Sequence, residues 1–340
     1  MKNKTLKVKD LTFGFLPGWW SKHFGITYGK RYYDDPEYRM TLCAEVHKLF
    51  NTQCRSLLHY EPNPNPQPWP VKLDYGNATT GIFAGCEYEL PDDDVARNKH
   101  LPREKLAALK LPEKIQDVFP YNQIVEQTLY TNQKYNHNEL PTILPRGVLN
   151  EAFLIEGEKI FTDMYEDPDE ARRMLDFSYG LLEKTVRYNY SVGYRGLVRV
   201  LNCTIQLVNP DMYEEWLLAY DMKIYDLAQE LGLTFGIHHC GDLKGRLLDL
   251  YRKIPNYAYL QVGFNSDLER VIRSFPEAQI HFVYDPVFCM NATQDEIRKR
   301  ALDIVEQAGD KAKDLSVGVG AIDVGVPLEN LQVVFDALTE

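Results

Sequence analysis

From about residue 145 to its end the sequence alternates long helical periods with short apolar runs, and that alternation indicates βαβ units arranged on a parallel sheet. Asp167-Pro168 opens a helix by the pairing of a capping residue with proline in the first turn, and the apolar period continues through Ala171, Met174, Leu175, Phe177, Leu181, Leu182 and Val186. The run 196–201 reads as a strand. Asn209-Pro210 then opens a helix to about Leu231, followed by strand 233–237, helix 243–253, strand 257–262, helix 267–274, strand 280–284, helix 293–307, strand 315–319 and a last helix from Pro327 to Leu338. Four strand-helix pairs after residue 195 amount to half of a (β/α)8 TIM barrel, so the expected fold class is α/β, a (β/α)8 TIM barrel with an irregular N-terminal excursion.

The amino-terminal part fits this pattern less regularly. A helix over Pro36–Phe50 and a strand over Arg55–His59 continue it, but Asn63-Pro-Asn-Pro-Gln-Pro-Trp-Pro70 is too rich in proline for either element. The reading is one TIM-barrel domain over residues 1–340, with 60–145 as insertions that decorate the barrel mouth. A chain of 340 residues with 44% hydrophobic and 26% charged residues has the material for one such core, and disordered or collagenous classes are excluded.

Charge and hydropathy narrow the partners. A formal charge of −11 offers phosphate backbones no strong attraction, so nucleic acid is not expected as a partner. No run reaches the roughly 18 apolar residues that a membrane span requires, and the start Met1-Lys-Asn-Lys-Thr-Leu-Lys7 lacks the apolar stretch of a signal peptide. The expectation is a cytoplasmic protein with no membrane partner. The six cysteines of a long chain in that setting do not read as a disulfide framework.

One cysteine, Cys240, has a histidine within two residues. The segment Gly236-Ile-His-His-Cys-Gly-Asp242 falls where a strand ends and a helix begins, the catalytic rim of a parallel barrel. In extended backbone His238 and Cys240 point to one side and His239 to the other, so the first two can share an ion, and an imidazole with a thiolate suits zinc. A buried cysteine beside two histidines bonded to loop carbonyls is the ordinary alternative. A catalytic zinc needs about three protein ligands and an open position. Cys289, in Tyr284-Asp-Pro-Val-Phe-Cys289, is the expected third ligand, with Cys203, just after strand 196–201, in reserve. Cys43 lies within a helix, Cys54 is similar, and Cys86 is an outsider. His239 is expected behind the ligands or buried, and with Asp285 it forms the pair of candidate catalytic residues.

The carboxyl-terminal half resembles the uroporphyrinogen decarboxylase superfamily, in particular its zinc methyltransferase branch. The resemblance runs from about Leu144 and is carried by Pro145-Arg-Gly147, Asp167-Pro168, Asn209-Pro-Asp-Met-Tyr213, His238-His-Cys-Gly241, Tyr284-Asp-Pro286 and Gly318-Val-Gly320 leading into Val326-Pro-Leu-Glu-Asn330. It implies a zinc-dependent enzyme that transfers methyl groups, with a corrinoid (cobalamin) carried by a partner protein. The further carboxylate and the late cysteine of that branch correspond to Asn265 and Gly320-Ala321 here, and neither can ligate. Cys289 is then the natural replacement, with Asp285 or Glu87 as a carboxylate.

The arginine-rich amino-terminal segment of the decarboxylases is replaced by Phe15-Leu-Pro-Gly-Trp-Trp20, which suits a neutral or aromatic donor, so Trp19 and Trp20 are candidate substrate-binding residues. Core packing is their ordinary alternative. The expected function is transfer of a methyl group from a small-molecule methyl donor, by preference an aryl methyl ether, to the cobalt of a separate corrinoid protein, as in O-demethylation. A decarboxylase-like enzyme with His238 and His239 as acid and base, a methylcobalamin:thiol methyltransferase, and an inactive scaffold with a closed structural zinc are the alternatives.

Overall fold

The computed structural model describes residues 5–58 and 71–339. Their centre is a six-stranded sheet, and every neighbouring pair in it is parallel: β1 (Asp10–Phe15), β2 (Leu197–Leu201), β3 (Thr234–His238), β4 (Tyr257–Val262), β5 (Gln279–Tyr284) and β6 (Ser316–Ile322). The order across the sheet is β1-β6-β5-β4-β3-β2. Each crossover after β2 carries at least one helix, as the alternating pattern requires. Among the described residues β1 and β2 are the two edges, so the eight hydrogen-bonded strands expected of a closed barrel are not all formed there.

Alternation along the strands gives the sheet two chemically different faces. Val198, Val200, Phe235, Ile237, Leu260, Val262, Phe282, Tyr284, Val317 and Val319 are buried in the main core cluster. The intervening positions Thr12, His238, Gln261, His281 and Gly318 line a cavity, which Val319 also reaches at the strand end. All five strand ends expected near residues 201, 237, 262, 284 and 319 lie at the same end of this sheet, because the strands are parallel and in continuous register.

Helix starts follow the capping chemistry. Asp35, Asp167 and Asn209 each accept hydrogen bonds from backbone N–H groups of the first turn, with proline at the next position. One expectation changes. The strand expected over 55–59 gives way to a 3-10 turn, Arg55–Leu57, that closes the preceding helix through Leu57 N–H to the Cys54 carbonyl, while His59 and the proline-rich run fall outside the described residues. Among the described residues that line the cavity none comes from 71–145. Leu73, Tyr75, Ile82, Ile115, Tyr121 and Ile124 build a second apolar cluster with Tyr33 and Leu181. No helix among the described residues is long and apolar enough to cross a membrane.

The edge at β2 is met by the chain entering helix Val148–Glu156. Gly147 N–H donates to the Leu201 carbonyl at 3.1 Å, and a Cβ there would sit 2.6 Å from that same oxygen and collide with the Asn202 side chain. Gly147→Ala is expected to destabilise the fold by about 1–3 kcal/mol through this overpacking, read as a fall in denaturation midpoint. Unchanged stability would show that this approach is not tight.

Four residues on, Glu151 is fully buried and accepts a hydrogen bond from Thr80. Burial raises its carboxyl to about 7 from the ordinary 4.5, so the folded chain holds this proton more tightly than the unfolded chain. The associated stability is present below the unfolded value and is lost as pH rises through about 7. Glu151→Gln keeps the acceptor for Thr80 and should be more stable than the parent at pH 8.5 by on the order of 2 kcal/mol, with the difference vanishing near pH 4. Denaturant melts at the two pH values read this directly, and a pH-independent difference contradicts it.

Candidate metal centre

The site grows out of the pairing of β2 with β3. Leu197 is opposite Thr234 and Leu201 opposite His238, a constant offset of 37 positions. Two residues beyond, the same offset sets Cys203 against Cys240, and their sulfurs lie 3.0 Å apart. The Cys240 sulfur is also 3.0 Å from His238 Nε2. One ligand atom from each of Cys203, His238 and Cys240 lies within 4.8 Å of the others.

Several contacts hold this geometry in place. Asn202, buried beside Cys203, donates its backbone N–H to the His238 carbonyl at 2.9 Å and its side-chain amide to Asp221 at 2.8 Å. Asp221 also accepts from the Tyr213 hydroxyl at 2.8 Å, and burial raises its carboxyl to about 6. Thr204 N–H donates to the Asn150 side chain, which anchors the turn that carries Cys203. On the other side Gly263 N–H donates to the Gly241 carbonyl at 2.8 Å, and a Cβ on Gly263 would lie 2.7 Å from the Cys240 carbonyl. The peptide after Cys240 can lie this close only because Gly263 has no side chain.

His238 and Cys240 line a cavity of about 970 Å³, together with Ile205, Gln261, Phe264, His281, Val283 and Asp285, and the Cys203 sulfur lies against the Cys240 sulfur beside it. Two thiols and an imidazole are a donor set that zinc accepts, and three protein ligands leave a position free. The hydrogen bond with Cys240, helped by His238, pulls the Cys203 thiol well below the ordinary thiol range despite burial, and the thiolate so formed pushes Cys240 up. The pair therefore ionises once readily, which suits a cation between the sulfurs.

The other expected site residues are placed as follows. Cys289 does not join His238 and Cys240. Asp285 caps a short helix, Pro286–Asn291, by accepting from Val287 N–H, and the helix turns Cys289 fully into the core, where burial pushes its thiol up to about 12. Its position in the cluster is filled by Cys203, the reserve candidate. His239 points away from the cavity, as alternation requires: it is fully buried, its Nδ1 is 3.1 Å from the Tyr251 hydroxyl, and burial pushes its imidazolium down to about 4. It does not touch the cavity as a catalytic residue would. Asp285 does line the cavity.

Trp19 and Trp20 are core residues packed on Phe15 and Phe24, and Trp20 lines a separate groove with Tyr28, Tyr32 and Phe50. Phe13 and Phe264 are the aromatic residues of the main cavity. Asn265, in the place of a family carboxylate, lines it too and donates its backbone N–H to Asp242. Cys43, Cys54, Cys86 and Glu87 lie outside the cluster.

Residues 82–340 match the model of the uroporphyrinogen decarboxylase (URO-D) family, and the chain belongs to that family. Among characterised relatives it is similar to the methylcobamide:CoM methyltransferase MtbA of Methanosarcina mazei, with 26% identity over 219 residues, 62% of this chain and 60% of the relative. The match thus spans about 60% of that relative's length. Among solved structures it is similar in fold to a methyltransferase from Methanosarcina mazei, with a TM-score of 0.65 and 15% identity over 98% of this chain and 93% of the other. The methyltransferase branch that the motifs resemble is thus also the one named for the sequence relative, and the solved structure matches in fold.

A metal held by these three ligand atoms predicts that Cys203→Ala, His238→Ala and Cys240→Ala each lose most of the bound zinc by elemental analysis. Cys289→Ala should keep the parent's zinc while losing about 1–2 kcal/mol of stability to a small cavity. Retained zinc in Cys203→Ala, or lost zinc in a folded Cys289→Ala, would restore Cys289 as the third ligand.

Proposed function

We propose that this protein is a zinc-dependent methyltransferase that moves a methyl group from a small donor, by preference an aryl methyl ether, to the cobalt of a separate corrinoid protein. The observation that carries this reading is the convergence of Cys203, His238 and Cys240, the last two lining a roomy, partly apolar cavity. The three side chains would hold zinc, which when bound supplies a Lewis acid able to stabilise negative charge on a departing oxygen.

The chain's own residues do the rest. Phe13, Ile205, Phe264 and Val283 give a donor ring apolar walls and exclude water from the ligand atoms. Asp285 stands on the rim with one carboxylate oxygen engaged by Val287 N–H and leaves the other for a polar group of the substrate. The same open end of the sheet would receive the corrinoid partner, since the strand ends and the ligand atoms lie there together.

Transfer in the other sense is the second reading, favoured by the name of the MtbA relative: a thiol acceptor would take the donor's place beside zinc, and the methyl group would arrive from the corrinoid. The metal-free reading with His238 and His239 as acid and base is opposed by their rings, which face opposite sides of β3.

The test uses purified zinc-loaded protein with a reduced corrinoid protein and a series of methoxyarenes, followed by the absorbance of methylated cobalt. Turnover should require zinc, and phenolic ethers should react faster than alkyl ethers because the oxygen carries negative charge in the transition state. Equal rates with and without zinc would defeat the mechanism. Methylation of a thiol from methylated corrinoid, with no reaction of any ether, would establish the second reading.

A further inference from the structure

Gln261 is a polar side chain beside the ligand atoms that is not itself one of the three. It lies opposite His238 in the register of β3 with β4, is almost fully buried and lines the cavity. Its amide nitrogen is 3.4 Å from His238 Nε2 and 4.0 Å from the Cys240 sulfur. Behind it, on the same face of β4, the Tyr259 hydroxyl donates to Gln261 Oε1 at 3.3 Å. The amide direction follows from chemistry: a thiolate sulfur and an imidazole lone pair are acceptors, so the NH2 end faces them and the oxygen faces the Tyr259 hydroxyl.

When the His238 lone pair is given to a metal it can no longer accept from Gln261. The amide hydrogens are then left for the Cys240 sulfur and for whatever atom is brought in beside the three ligands. We infer that Gln261 selects the donor atom: held from behind by Tyr259, its amide offers a hydrogen bond to a neutral or anionic oxygen next to His238 and Cys240, and disfavours a protonated amine. This inference rests on the metal reading proposed above. An amide is suited to the task because it is neutral. A glutamate in its place would add a negative charge beside two thiolates and would attract cations, whether a metal or an ammonium group.

Tyr259 acts as a positioning residue, since it touches Gln261 and fixes which end of the amide faces the ligands. Its loss would let the amide rotate, so its effect should appear in oxygen-ligand affinity and leave metal affinity alone.

The experiment loads the full-length protein with Co2+, whose visible absorption reports its ligands, and titrates phenol and trimethylamine as non-reacting probes. For the parent, phenol is expected to change the cobalt spectrum and trimethylamine, protonated at neutral pH, to leave it unaltered. Gln261→Ala should keep cobalt affinity within about threefold while weakening phenol about tenfold, the size of one lost hydrogen bond to a charged partner. Tyr259→Phe should weaken phenol in the same direction by a smaller factor. Gln261→Glu should bind cobalt more tightly than the parent in competition with a chelating dye and should lose the phenol response.

Unchanged phenol affinity in cobalt-loaded Gln261→Ala would overturn the inference while leaving the metal reading intact. Loss of cobalt from that variant would also overturn it and make Gln261 a ligand. Failure of the parent itself to bind cobalt or zinc would sink the metal reading, and the inference with it.

Discussion

The site depends on the register between β2 and β3. Parallel strands fix the offset between their residues, and here the offset that pairs Leu201 with His238 also brings Cys203 to Cys240 once both chains have left the sheet. A slip of one residue would turn His238 and Cys240 to the helix-packed face and leave Cys203 alone. The apolar residues Val198, Val200, Phe235 and Ile237 make such a slip expensive, because each would then leave the core. Packing on one face of the sheet thereby sets the ligand geometry on the other.

Behind the cluster, polar groups do what apolar packing cannot. Asn202 ties the end of β2 to the end of β3 and is itself held by Asp221, which Tyr213 also engages. Tyr213 opens a π-helical turn, Tyr213–Leu217, in the helix that follows, and this places its hydroxyl at the buried carboxylate. These groups are buried but partnered, so they restrain the approach of the two strand ends without stranding a charge. The free side of the cavity is left to residues that can meet a substrate: Gln261, His281, Phe264 and Asp285.

Much of this architecture was legible in the residues. The helix and strand alternation after residue 195 predicts the five consecutive parallel strands β2 to β6 to within about two residues at most ends. The H-x-C spacing correctly places His238 and Cys240 on one side and His239 on the other. The misplaced residue, Cys289, has an instructive cause: Asp285-Pro286 is the same cap-and-proline signal that opens the helices at Asp167-Pro168 and Asn209-Pro210, and read so it turns the cysteine inward. Cys203 was reachable by carrying the strand offset two residues on. Trp19 and Trp20 were beyond local pattern, since only the tertiary packing against Phe15 and Phe24 decides whether an aromatic pair meets substrate or core. The open edges at β1 and β2 were likewise not legible, since local pattern does not show that residues 71–145 divide their apolar side chains between the main core, through Leu101 and Leu106, and a second cluster.

The most direct test of the convergence of Cys203, His238 and Cys240 is X-ray absorption at the zinc edge of the metal-loaded protein. The account predicts two sulfur scatterers at about 2.3 Å and at least one nitrogen at about 2.0–2.1 Å, with a light atom completing the shell. Three sulfurs, or a shell with no sulfur, would contradict it.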